Sequence, residues 1–236
     1  SLSIGACYCL SKNVPTKPLT NIYIGRNLSE NGEKLNYSTL NKFFSNKKFK
    51  ILKNFNHKNL AILLSKNEII AVARGREEFG ARALGNRSII ANPSNYDAVK
   101  RINESIKNRD FWMPFALTIL KEKHKKFIKN NKNFPCDFMT MTFDTKKDNL
   151  KKIHAGCHPY DNTVRPQILK RESNPMYYSI IEKFNALTKI PALLNTSLNL
   201  HGYPLASGLK NVIFTFKHSG LKFLYINDKF LVIKKY

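Results

Sequence analysis

The sequence predicts an α/β fold built on a mixed sheet. Three observations carry that expectation. From residue 59 onward, strand-like runs alternate with runs of helical spacing. Near the C-terminus, FLYI and KFLVI flank Asn227-Asp228, a two-residue hairpin signal that requires an antiparallel pair. Hydrophobic residues make up 42% of the 236, enough for one large core, or for one domain plus a fragment of another.

In chain order, SLSIGACYCL reads as a small apolar, buried helix, followed by the Pro-containing link NVPTKPLT and a short strand, NIYIG. Residues 27–58 are polar and lysine-rich, with STLNKFFSNK as an amphipathic surface helix. The reading divides the chain into residues 1–50 and residues 51–236. NLAILLS is helical and feeds the strand EIIAVA. A second apolar piece covers residues 88–91. Residues 97–108 keep helical spacing through Ala98, Val99, Ile102 and Ile106. FALTIL is a strand, residues 121–132 a basic exposed helix, and FMTMTF an alternating strand. After turns around His154 and Asp161, VRPQIL is again strand-like. Asn174-Pro175 opens the helix MYYSIIEKFNALT, IPALLNTSLN is a strand entering a polar loop, and residues 209–219 form the last helix.

Lys+Arg 40 against Asp+Glu 16 gives a net charge of +24. This favours anionic partners such as nucleotides, phosphorylated metabolites, RNA or acidic surfaces. The richness in Asn, Ile, Phe and Tyr offers a plainer source for much of the lysine. Four cysteines without a C-x-x-C pair fit reduced thiols in a cytoplasm. No apolar run is long enough to span a bilayer. The N-terminus lacks both an initiator methionine and a basic leader, and reads as the cut end of a longer polypeptide.

Three clusters carry candidate chemistry. The first is GREEFGARALGNRS, in which Gly75, Gly80 and Gly85 interleave with Arg76, Arg82 and Arg87, just after Arg74. Glycine permits sharp turns and arginine offers a planar fork to oxyanions, so the loop suits an anion, although surface loops also use both residues. It is neither a Walker loop nor a dinucleotide fingerprint. The second cluster pairs Lys107 with Arg109, either on one polyphosphate or as solvated charges at a helix end. The third is NTSLN, where Asn195, Ser197 and Asn199 offer neutral donors or simple turn chemistry. Arg165 lies in DNTVRPQ. Upstream, His154, Cys157 and His158 form an H-x-x-C-H order with no second ligand group to support zinc. No local signature suggests covalent catalysis. Cations plus neutral donors suit electrostatic stabilisation of a phosphoryl or adenylyl transfer.

The stretches GREEFGARALGNRSIIANP, IKNRDFWMPFALTIL, HPYDNTVRPQIL and NPMYYSIIEKFNALTKIPALLNTSLNLHGYPLA together resemble the C-terminal part of O-carbamoyltransferases related to nodulation protein NodU and cephalosporin carbamoyltransferase. The resemblance implies a YrdC-like twisted open sheet that uses ATP, with its Mg2+, and carbamoyl phosphate to make carbamoyl adenylate. It implies catalytic roles for Lys107, Arg109 and Arg82, the first two as the family's K-x-R pair. Arg76, Arg87, Arg165, Asn195, Ser197 and Asn199 would bind the substrates. A second, actin-like, metal-dependent domain would pass the carbamoyl group to a hydroxyl of a small molecule or sugar. SLSIGACYCL resembles the last helix of that domain, whose metal ligands would precede Ser1, so no metal site is implied within this chain. Met113 stands where the family usually has a second arginine. Two other readings share the fold: a threonylcarbamoyl-adenylate activity, and a non-catalytic remnant that binds RNA or a partner.

Overall fold

A computed structural model describes residues 2–11, 19–29, 35–108, 110 and 113–235. Eight strands form one mixed sheet: β1 (Phe49–Leu52), β2 (Ile70–Ala73), β3 (Arg87–Ala91), β4 (Ala116–Leu120), β5 (Pro166–Leu169), β6 (Ala192–Ser197), β7 (Phe223–Ile226) and β8 (Phe230–Lys234). Their order is β1-β8-β7-β2-β3-β6-β4-β5. β2 and β7 are parallel, as are β4 and β5, and every other neighbouring pair is antiparallel. Six α-helices accompany the sheet among the described residues: α1 (Leu2–Leu10), α2 (Tyr37–Phe44), α3 (His57–Ser65), α4 (Asp97–Ile102), α5 (Pro175–Thr188) and α6 (Leu209–His218).

Local chemistry explains the principal elements. β2, β3 and β4 are buried at every position. Their side chains meet packing on both faces, so they read as continuous apolar runs rather than alternating ones. α5 begins where Asn174 accepts a hydrogen bond from Tyr177 N and Pro175 fills the first turn. It ends at Lys189 in a left-handed conformation. The hairpin between β7 and β8 turns on Asn227 and Asp228, both at φ 52°, the left-handed pair that a two-residue turn matching strand twist needs.

Several sequence expectations give way to tertiary packing. Residues 121–132 hold one 3-10 turn, His124–Lys126, in place of the expected helix. Phe127 and Ile128 are adjacent and both buried, a spacing that one helix face cannot serve. FMTMTF is not a strand: Met139 sits at φ 56° and breaks the extended run, and only Phe143 makes an isolated bridge, to Val164. NIYIG is not a named strand either. Its segment runs beside the arginine loop through Gly25 N to Glu77 O, Glu77 N to Arg26 O and Phe79 N to Ile22 O. α1, read as buried, buries none of its residues. β1 was not anticipated. It pairs with β8, and Leu40 and Phe44 of α2 join the same core. The expected division at 50/51 therefore falls inside a strand of the sheet.

The strand directions bring several strand ends to one edge. β6 runs antiparallel to β3 and β4, with Ser197 opposite Ser88 and Asn195 opposite Ala116. The C-terminal end of β6 thus meets the N-terminal ends of β3, β4 and β5, and the strand ends and connections at that edge carry the expected site residues that lie among those described.

Candidate functional site

α4 continues into a π-helical turn, Asn103–Lys107, closed by Asn108 at φ 43°. A π turn rotates the last side chains off the helical register, and here it carries Lys107 inward. Lys107 is only 2% exposed. Its Nζ donates to Ser197 Oγ at 3.1 Å and to Asn199 Oδ1 at 2.6 Å, with Asn199 O at 3.3 Å. The Ser197 hydroxyl donates to Asn199 Oδ1 at 2.6 Å. These acceptors are neutral oxygens, which hold an ammonium in place without neutralising it. His201 braces the turn: its backbone N donates to Ile106 O, and its Nδ1 lies 2.7 Å from Lys107 O. His201 carried no signal in the sequence beyond its place after NTSLN. Arg109 lies outside the described residues.

At the same sheet edge, an open cleft of about 470 Å3 is lined by Arg82, Met113, Phe115, His158, Thr163 and Arg165, among others. The expected cations Arg82 and Arg165 therefore meet across one space. Met113 shares the lining with them and brings no charge.

The rest of the arginine loop is used differently from the expectation. Arg87 is fully buried. Its guanidinium donates to Ser207 O at 2.7 Å, Arg74 O at 2.5 Å, Asn86 O at 3.0 Å and Gly75 O at 3.1 Å. Burial lowers its pKa to about 10, with Glu78 and Glu77 opposing, so it stays charged at neutral pH. Arg76 donates to Gly25 O at 2.9 Å and also to Ile24 O. Expected as ligand-binding groups, Arg76 and Arg87 have these donors on main-chain carbonyls and clasp the loop. Glu78, unremarked in the sequence, fixes the turn from within by accepting from Leu84 N at 2.6 Å and Asn86 N at 2.7 Å. Gly85 sits at φ 111°, and a Cβ there would lie 2.2 Å from the Tyr177 ring, so only glycine fits. Asn195 Nδ2 ties β6 to the loop through Ala83 O at 3.1 Å, while its buried Oδ1 has no hydrogen-bond partner among the described residues.

His154, Cys157 and His158 do not converge, and no group of three or more metal-ligating side chains occurs among the described residues. Burial pushes the Cys157 thiol up to about 12, far from a thiolate nucleophile. Nor is any described helix long and apolar enough to cross a membrane.

Residues 61–234 match the family described as Carbamoyltransferase C-terminus. The chain belongs to that family. This carbamoyltransferase C-terminal domain is 42% identical over 154 residues to an uncharacterized protein of Methanocaldococcus jannaschii, covering 65% of this chain and 29% of the relative. It is 34% identical over 175 residues to nodulation protein NolO of Bradyrhizobium diazoefficiens, covering 73% of this chain and 31% of that one. The chain thus spans under a third of the relatives it matches. Its fold is YrdC-like. Full-length HypF, solved in its phosphate- and nucleotide-bound form, superposes with a TM-score of 0.52 at 15% identity, covering 74% of this chain and 25% of HypF. Within the domain, Lys107, Ser197 and Asn199 are in direct hydrogen-bond contact, although 90 residues separate Lys107 from Ser197 in sequence.

Proposed function

We propose that this domain binds carbamoyl phosphate and ATP with its Mg2+, and forms the carbamoyl adenylate from which an O-carbamoyltransferase carbamoylates a hydroxyl. Water would release carbamate and inorganic phosphate from carbamoyl phosphate, and the carbamate oxygen would then displace pyrophosphate from the α-phosphorus of ATP. The observation that carries the reading is the pairing of a buried lysine cluster with an arginine-walled cleft on one sheet edge. Lys107, oriented by Ser197 and Asn199, would stabilise negative charge that develops as the adenylyl bond forms. Arg82 and Arg165 would hold the phosphate oxygens of carbamoyl phosphate. Asn195 positions the Arg82 loop, and its unpaired Oδ1 is an acceptor suited to a carbamoyl amide. Arg109, next but one to Lys107, would add a further donor. HypF, with the same fold, was solved with phosphate and nucleotide bound, which agrees in ligand class. Transfer to a small-molecule or sugar acceptor would fall to a separate, metal-dependent domain, in the cytoplasm.

The test is ATP–pyrophosphate exchange. Exchange by the purified chain should require carbamoyl phosphate, and the chain alone should carbamoylate no hydroxyl. Exchange that ignores carbamoyl phosphate, or that instead requires threonine with bicarbonate, would move the activity to another member of the fold. An RNA affinity without nucleotide binding would favour a non-catalytic remnant.

A further inference from the structure

The H-x-x-C-H order yields no metal cluster, and its three residues have separate fates. His154 stacks on Tyr96 at 5.6 Å and places Nδ1 2.9 Å from Lys151 O. Cys157 is buried, with Sγ 3.4 Å from Ile153 O. His158 instead lines the arginine cleft.

The turn around it is tightly made. His158 N donates to Thr163 O at 2.8 Å, and Asn162 N donates to His158 O at 3.0 Å. Asn162, at φ 57°, reverses the chain. Asp161 Oδ1 accepts from Thr163 N at 2.9 Å, so the carboxylate is fixed by the backbone before it meets the imidazole. That bond from Thr163, and after it the His158 ring, hold the Asp161 carboxyl below its ordinary range. His158 Nδ1 lies 3.3 Å from Asp161 Oδ1. Nδ1 is buried and the contact lacks hydrogen-bond alignment, so its strength depends on the ring's charge. The side chain as a whole is 38% exposed. Nδ1 is buried, so the exposed part of the ring lies elsewhere, and His158 is among the residues that line the cleft.

We propose that His158 is a third anion-contacting group of this cleft, oriented by Asp161, that donates from its ring to a phosphate-bearing ligand. The inference rests on reading the cleft as the carbamoyl phosphate site, and adds to it a residue. The charged groups around the ring are Asp161 on its own turn and, sharing the lining of the cleft, Arg82 from the glycine-arginine loop and Arg165 at the entry to β5. Met113, Phe115 and Thr142, from the remaining walls, bring no charge. A protonated imidazole donates to a phosphate oxygen through a charge-assisted hydrogen bond, so the His158 contribution to phosphate binding is larger at low pH than at high pH. In this reading a histidine supplies a donor in a cleft where Met113 supplies none.

The experiment measures inorganic phosphate binding to the chain by calorimetry from pH 6 to 8.5, for wild type, His158→Gln, Asp161→Asn and Arg165→Ala. Comparing variants at each pH cancels the titration of phosphate itself. Wild type should bind about tenfold tighter than His158→Gln at pH 6, as a charge-assisted hydrogen bond implies, and nearly equally at pH 8.5. Asp161→Asn should shrink the pH 6 advantage. In parallel, imidazole NMR should show one of the six histidines titrating at higher pH when phosphate is present, and losing that response in Arg165→Ala. This arm needs no folded His158 variant. A wild-type to His158→Gln ratio that is flat across pH, or no phosphate-responsive histidine, while Arg165→Ala still weakens binding, would overturn the role of His158 and leave the cleft standing. If phosphate does not bind wild type, or Arg165→Ala binds as wild type does, the cleft reading itself fails and takes this inference with it.

Discussion

The two ends of the sheet hold cavities of similar size and opposite construction. At the C-terminal end of β6, the cleft of about 470 Å3 shares the sheet edge with a lysine that is 2% exposed and fixed by three oxygens. At the opposite end, beyond β4 and β5, a cavity of about 550 Å3 is lined by Lys121, Lys125 and Lys170. There Lys121 and Lys125 are exposed, and Lys170 is already paired with Asp137 at 2.7 Å. The second cavity is the larger, yet its charges are solvated or neutralised. A cation held in place stabilises developing charge without reorganising, whereas exposed lysines attract anions weakly and lose that attraction to salt. Size does not distinguish these ends; the way each charge is held does.

The strongest way to break the contrast is to remove the clasp at the functional end. Arg87→Ala should strand the carbonyls of Arg74, Asn86, Gly75 and Ser207. At about 1–3 kcal/mol for a buried group left unpaired, the loss should be about 3 kcal/mol or more. The thermal midpoint should fall by roughly 10 °C, measured by calorimetry or circular dichroism. Lys107→Ala should keep the fold and lower pyrophosphate exchange by about 10²–10³, the range for one lost transition-state donor. Met113→Arg sharpens the comparison in the other direction. If the cleft wants one more fixed cation, exchange should rise, by up to about a hundredfold in kcat if the donor acts mainly in the transition state. Unchanged, already fast exchange would show that another residue serves. The smallest effect belongs to the far end. Lys125→Ala and Lys170→Ala should change exchange by less than about twofold, and Lys170→Ala should cost at most about 1 kcal/mol, as partly exposed pairs do.

Much of this was legible in the sequence, for identifiable reasons. The central strands and α5 announced themselves through long apolar runs and strong caps. Lys107, Ser197 and Asn199 were legible as short spaced pairs, although nothing local showed that the pairs would meet. Residue type cannot reveal whether a guanidinium faces a ligand or a carbonyl, so Arg76 and Arg87 were grouped with Arg82. β1 hid because FKIL is four residues long and carries a lysine in a basic stretch; only its pairing with β8 makes it a strand. The helix expected at residues 121–132 failed because charge spacing was read where the burial of Phe127 and Ile128 decided the path. His158 was weighed as a zinc ligand, and its place beside two arginines depends on a turn that spacing alone does not describe.

The most direct test of the central claim is a calorimetric titration of wild type and Arg82→Ala with carbamoyl phosphate in the presence of ATP. Saturable binding to wild type is expected, weakened in the variant by about 1.5–3 kcal/mol, the worth of a hydrogen bond to a charged group. Equal affinity in the two proteins would contradict the claim.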